Sequence, residues 1–217
     1  MATKEQNQIY AAQPDDGFSP RLILVDLSTD RIETVYVKAD VARKYLDGAG
    51  LAAKILWQET TAETDALSGD NPLIFMTGPL TGAVPYGGRH IVAGLSPLTG
   101  IYGDSNAGGF FAPELKFAGW DAIEIQGKAE QEVVIVVDGN DGRVTIETAP
   151  EESVNTHLVG EELTTMFAKN DKDKRRNLAD SDSKSEAVKK ETKDKPAADA
   201  KAKDSKPAGT TAANSSD

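Results

Sequence analysis

Aromatic residues, Ile and Met all stop at Phe167 of this 217-residue chain. Residues 170–217 are built almost wholly from Lys, Asp, Ala, Ser, Glu, Thr and Pro, which cannot bury enough apolar surface to offset the entropy of ordering a chain. They read as a disordered, low-complexity tail. Any fold must therefore be made by what precedes them, which is about the size of one ordinary domain. Met1–Ser19 is polar, closes on Asp15-Asp16-Gly17 and Pro20, and reads as a flexible leader. The sequence thus predicts a leader over 1–19, a folded domain over 20–169 and a tail over 170–217.

Charge divides along the same boundary. From Asp171 onward the tail holds 12 of the 24 basic and 10 of the 35 acidic residues, which leaves about −13 on the part before it. Such a field repels nucleic acid and anionic membrane surfaces, so neither is an expected partner. No stretch approaches the roughly 20 apolar residues of a membrane span, and the first residues lack the order of a signal peptide. The expected location is the cytoplasm. With no cysteine in the sequence, this chain cannot itself hold a disulfide or a cysteine-ligated iron–sulfur cluster.

The organising stretch runs from Met76 to Gly127. It carries Pro-Leu-Thr-Gly twice, at Pro79–Gly82 and Pro97–Gly100, an arginine at Gly87-Gly88-Arg89, and the run Gly103-Asp-Ser-Asn-Ala-Gly-Gly-Phe-Phe111. In each turn Pro fixes φ and Gly supplies a permissive end. Glycines beside one cation and one Asn suit a backbone that comes close to an anionic ligand. The alternative is a tight loop over Asp104–Gly109 between packed strands, with Arg89 a surface cation and Asn106 a turn residue; composition alone does not choose between them.

Around this stretch, apolar patterning predicts strands at Arg21–Leu27, Arg31–Val37, Leu73–Met76 (a buried one), His90–Ala93 and Asp121–Gln126, and a hairpin of Glu132–Asp138 with Arg143–Glu147. Helical spacing predicts Asp40–Leu46, stopped by Gly48, then Leu51–Gln58, Ala112–Phe117 and Leu158–Ala168. Strands, hairpins and short helices without regular βαβ alternation indicate an α+β fold. Gly48-Ala-Gly-Leu-Ala-Ala53 matches a dinucleotide fingerprint in letters, but helical pattern precedes it where a strand is required, so a helix-to-helix turn is expected. His90 and His157 have no partner at metal-ligand spacing. Glu114 and Asp121 are expected to be structural, and Trp57 and Trp120 core or surface aromatics.

Together these residues resemble the N-terminal domain of the tungsten-dependent aldehyde:ferredoxin oxidoreductases. The resemblance is carried by Leu73-Ile-Phe-Met-Thr-Gly-Pro-Leu-Thr-Gly82, Gly87-Gly-Arg89, Ser96-Pro-Leu-Thr-Gly100, Asp104-Ser-Asn-Ala-Gly-Gly-Phe-Phe111 and Pro113-Glu-Leu-Lys-Phe-Ala-Gly-Trp-Asp-Ala122. It extends weakly over Arg21 to Lys169. It implies an α+β domain of two intertwined repeats, in keeping with the doubled turn, on which a tungsten or molybdenum bis-pyranopterin sits. It further implies that Arg89 contacts a pterin unit, that the Asn106 amide oxygen ligates a Mg²⁺ bridging the pterin phosphates, and that Ala107, Gly108 and Gly109 lie against the cofactor. None of these residues is expected to be catalytic.

Family enzymes continue for several hundred residues, and those later domains carry the [4Fe–4S] cysteines and the acid–base groups. The resemblance therefore implies an aldehyde oxidoreductase that passes electrons to ferredoxin or a related acceptor only when a second polypeptide supplies the missing domains. This chain alone is expected not to oxidise aldehydes, and an exposed apolar patch is expected where those domains dock. Two other readings stand beside it: a non-catalytic pterin- or phosphate-binding protein, and a truncated relic of the enzyme.

Overall fold

The computed structural model describes residues 9–14, 17–150 and 156–168. The chain forms two compact units, Met1–Ala149 and Pro150–Asp217. In the second, the helix Thr156–Phe167 is described, in agreement with the predicted Leu158–Ala168. The tail from residue 170 and most of the leader lie outside the described residues.

The first unit is organised by a seven-stranded mixed sheet. Its strands are β1 (Tyr10–Ala11), β2 (Arg21–Asp26), β3 (Arg31–Val37), β4 (Leu73–Thr77), β5 (His90–Leu95), β6 (Tyr102–Ala107) and β7 (Ala122–Gln126), in the order β1-β3-β2-β7-β4-β5-β6. β2 and β3 are a hairpin, and β4, β5 and β6 a meander. β7 comes after both, yet runs parallel to β2 and antiparallel to β4, and so stitches the two parts into one sheet. That interleaving produces the α+β fold expected from the sequence.

β2 and β7 are central strands covered on both faces, which is why Leu-Ile-Leu-Val and Ala-Ile read as near-continuous apolar runs. One face packs against α1 (Ala39–Tyr45) and α2 (Gly48–Glu59). Leu51, Ala52, Ile55 and Leu56 form the buried stripe of α2 and meet Leu22, Ile74, Met76, Ile91 and Ala122. The other face packs against α3 (Phe111–Phe117), Trp120 and the hairpin of β8 (Val133–Asp138) and β9 (Arg143–Thr148). There Ile23, Val25 and Ile123 meet Leu115, Ile135, Val137, Val144 and Ile146.

Three local expectations are corrected. Gly48 does not stop the first helix: Leu46 takes the left-handed cap at φ +57°, and Gly48 opens α2. The fingerprint-like Gly48–Ala53 is, as expected, a helix-to-helix junction; Gly50 lets the helices meet, since a Cβ there would stand 2.3 Å from the Tyr45 carbonyl oxygen. The Asp104–Gly109 run is not a loop throughout, because Tyr102–Ala107 pairs with β5 as the last strand of the sheet. Leu73, expected to be buried, is exposed at the start of β4.

Candidate functional site

The site is built where β4 ends, β5 begins and β6 ends. Antiparallel pairing sets His90 opposite Ala107 and Ile91 opposite Asn106. Arg89, one residue before β5, therefore stands beside the turn Gly108-Gly109 that leaves β6. The two backbones approach closely: a Cβ on Gly88 would lie 3.4 Å from the Gly109 carbonyl oxygen. Facing outward, by contrast, Gly108 and Gly109 have open space where a side chain would be, and Gly109 has φ +90°. Arg89 and Asn106 are exposed. Among the described residues neither side chain is held by a hydrogen bond or ion pair. The five residues singled out in the sequence thus lie at one end of one strand pair.

The connection Gly78–Arg89 is folded back on itself. The Thr81 hydroxyl accepts from the Gly78 N–H at 2.9 Å and donates to the Arg89 carbonyl at 3.4 Å. The Gly82 N–H donates to the Gly87 carbonyl at 2.8 Å, closing the loop at its base. The loop is pressed against α3, since a Cβ on Gly82 would meet the Phe117 ring at 3.3 Å and Pro113 Cα at 3.5 Å. Beneath the glycine turn His90 is buried between Phe75 and Phe111, with ring centroids 6.3 and 4.8 Å away. Burial lowers its pKa and keeps it neutral, and its Nδ1 has no hydrogen-bond partner.

Farther along the same sheet end, Asp121 is used structurally. It accepts from the Arg21 N–H at 2.8 Å and pairs with Lys116 on α3, while its carbonyl accepts from the Thr77 hydroxyl at 2.7 Å. Glu114 is exposed, so no buried carboxylate pair forms. Trp120 is a core residue under the Arg21 guanidinium, whereas Trp57 is a surface residue. Asp47 is buried at the entry to α2 with φ +52°, and its Oδ1 is unpaired. Burial and the Asp121 charge push it up to about 6, against the pull of Lys116. Sequence reasoning missed Thr81 and Asp47; the available signal was a polar residue set against the glycines in each case.

Large apolar side chains stand in solvent around this end: Tyr86 at 104 %, Phe110 at 74 %, Phe117 at 70 % and Leu80 at 61 %, with Val84 and Phe111 beside them. The chemistry of the group fits a phosphate-bearing ligand: one free guanidinium, one free amide, and two glycines whose main chain is bare on the outer side. Among the described residues no cluster of His, Cys, Asp or Glu could hold a metal directly, and no helix is long and apolar enough to cross a membrane.

The chain is similar in sequence and fold to several known proteins. The sequence pattern of "Aldehyde ferredoxin oxidoreductase, N-terminal domain" matches residues 22–179. The chain is 42 % identical over 134 residues to the tungsten-containing aldehyde ferredoxin oxidoreductase of Pyrococcus horikoshii, covering 61 % of this chain and 22 % of that protein. It is 47 % identical over 118 residues to the enzyme of the same name from Pyrococcus furiosus, covering 54 % and 20 %. The aliphatic sulfonate oxidoreductase WOR-like subunit of Pyrococcus furiosus is 35 % identical over 124 residues, covering 56 % and 20 %. Among solved structures, the active-site complex BamBC of benzoyl coenzyme A reductase, with 1,5-dienoyl-CoA, superposes with a TM-score of 0.62 at 33 % identity, over 70 % of this chain and 23 % of that one.

The fold and the sequence pattern define an N-terminal domain of the oxidoreductase class. The chain belongs to the aldehyde ferredoxin oxidoreductase family, as its N-terminal domain. It spans about a fifth of the length of the curated relatives it matches.

Proposed function

We propose that this chain is the base on which a tungsten (or molybdenum) bis-pyranopterin rests in an aldehyde oxidoreductase. The observation that carries the reading is the convergence of Arg89 with Asn106, Ala107, Gly108 and Gly109 at one end of β5 and β6. Arg89 supplies a fixed positive charge and a planar fork of donors to a pterin or phosphate oxygen. Asn106 presents an amide oxygen, the hard ligand that Mg²⁺ takes when it also holds phosphates. Gly108 and Gly109 let main-chain groups lie against the ligand without a side chain between them. Once bound, the metal–pterin group supplies the two-electron redox chemistry, and the chain supplies position. A local cation, several donors and a divalent ion outweigh the acidic field of the rest of the domain, which salt screens within about 10 Å.

The apolar rim of Leu80, Val84, Tyr86, Phe110, Phe111 and Phe117 is the face on which the polypeptide corresponding to the other four-fifths of the relatives docks, enclosing the site and supplying the groups for aldehyde chemistry and for electron exit to a ferredoxin-like acceptor. Water exclusion requires such a cover, because the glycine turn is open on its outer side. The test is cofactor retention. Arg89→Ala and Asn106→Ala, made in a host that synthesises the pterin, should each lower bound metal and pterin by tenfold or more while the circular dichroism stays that of the parent. Unchanged retention in both variants sinks the assignment. Tyr86→Asp and Phe110→Asp should instead abolish co-purification with the remaining domains.

A further inference from the structure

A carboxyl group in the middle of a sheet needs something to hold it. Glu124 lies on the central strand β7, 2 % exposed, with the apolar Leu24 and Ile74 as its neighbours in the register. Gln126 Nε2 donates to its Oε1 at 2.6 Å, and the Tyr10 hydroxyl donates to its Oε2 at 2.7 Å. Tyr10 belongs to β1, the two-residue strand on the outer edge of the sheet. One side-chain hydrogen bond therefore ties an edge strap to the centre of the domain. The remaining ties of the strap are short: the pairs Tyr10↔Val37 and Ala11↔Tyr36, the Lys38 N–H donating to the Ile9 carbonyl at 2.9 Å, and the Ile9 side chain seated in the core. A second carboxyl group, Glu59 at the end of α2, acts on both Glu124 and Tyr10. Among the described residues no lysine or arginine pairs with Glu124, and β2 and β4 bring only apolar side chains to it.

We propose that Glu124 is a proton-operated catch for the N-terminal strap: protonated, it holds β1 closed beneath Tyr10, and ionised, it releases β1. The hydrogen bonds from Tyr10 and Gln126 favour the ionised form, so they do not themselves open the catch. Hydration opens it. An ionised carboxylate beside Glu59 in apolar surroundings gains by reaching water, and lifting β1 is the short route to water. Burial, then the Glu59 charge, push Glu124 up to about 7, and burial raises Tyr10 far above its ordinary value, so Tyr10 stays a donor throughout. Opening releases a proton only between the ordinary carboxylate value of about 4.5 and the closed-state value of about 7, so the open fraction grows by up to tenfold per pH unit across that window and levels off above it. Because the strap lies apart from the cofactor end, this inference does not rest on the proposed function.

Hydrogen exchange on the full chain between pH 5 and 8, corrected for the intrinsic base-catalysed rate, tests it. Protection of the Lys38 amide and of the β1 segment should fall between pH 5 and 7, approaching tenfold per unit, and level off above pH 7, while amides of β4 and β5 keep theirs. Glu124→Gln, which retains an acceptor for Tyr10 without a titratable proton, should flatten the profile, and Tyr10→Phe should show low protection already at pH 5. A flat profile in the parent, an undiminished slope in Glu124→Gln, or equal losses in β4 and β5 overturns the proposal. Should Glu124→Gln not fold, the parent series and Tyr10→Phe still decide: protection in Tyr10→Phe equal to the parent's at pH 5 overturns it as well.

Discussion

The letters Pro-Leu-Thr-Gly stand in both connections of the β4–β5–β6 meander, and the two copies are used differently. Both glycines take positive φ, +76° at Gly82 and +69° at Gly100, so the motif dictates the same reversal twice. At Pro79–Gly82 the threonine is buried, bonds to the Gly78 N–H and the Arg89 carbonyl, and the glycine packs against Phe117 and Pro113. At Pro97–Gly100 all four residues are exposed and Gly100 faces open space. What separates them is the sequence that follows. Ala83–Arg89 folds back over the first turn, while after the second the chain enters β6 within two residues. A four-residue motif fixes a turn; the segment it hands on to decides whether the turn becomes part of a site.

The largest expected effect is at the glycines. Gly82→Ala adds left-handed strain of about 1–2 kcal/mol to a methyl crowded by Phe117 and Pro113, for a loss of about 2–3 kcal/mol. Gly100→Ala carries the strain alone, about 1 kcal/mol. Urea unfolding of both variants measures the difference, and equal losses break the contrast. Thr81→Val removes the hydroxyl that serves the Gly78 N–H and should cost about 1–2 kcal/mol, against less than about 0.5 kcal/mol for Thr99→Val.

The site end also carries a charge held at a cost. Because the folded-state pKa of Asp47 is raised to about 6, its contribution is most favourable at low pH and is lost as pH rises toward and through 6. Asp47→Asn, which also tolerates the positive φ, should therefore stabilise the domain by about 1 kcal/mol at pH 8, after allowance for solvent screening, and by almost nothing at pH 4. Thermal unfolding at the two pH values checks the sign. The smallest effects on stability are expected at the exposed leucines: Leu80→Ala and Leu98→Ala should each change it by less than about 0.5 kcal/mol. Only Leu80→Ala should weaken association with the remaining domains, read by co-purification.

The apolar strands, the hairpins, the helices and the grouping of Arg89 with Asn106–Gly109 were legible in the sequence, because each is written in local spacing or in long, unusual motifs. β6 was not. Gly103, Asp104, Ser105 and Asn106 have poor intrinsic strand preference, and they form a strand because β5 offers them a ladder, a tertiary effect that overrides propensity. The end of α1 was misplaced because Leu46, rather than the nearby glycine, takes the left-handed cap. Glu124 sat in plain view within an apolar strand, yet its partner Tyr10 lies 114 residues away, and no local pattern joins them. An exposed apolar patch was expected, and the exposed residues Leu80, Tyr86, Phe110 and Phe117 come from separate segments of the chain.

The central claim is that this end of the sheet seats a metal–pterin group, and the most direct measurement is elemental analysis together with pterin fluorescence. It is made on the chain purified without oxygen from a host that synthesises the cofactor, alone and co-expressed with the remaining domains of a relative. Tungsten or molybdenum recovered together with pterin, and lost in Asn106→Ala, is the predicted result. Protein free of both metal and pterin, even when co-expressed with those domains, would contradict the account.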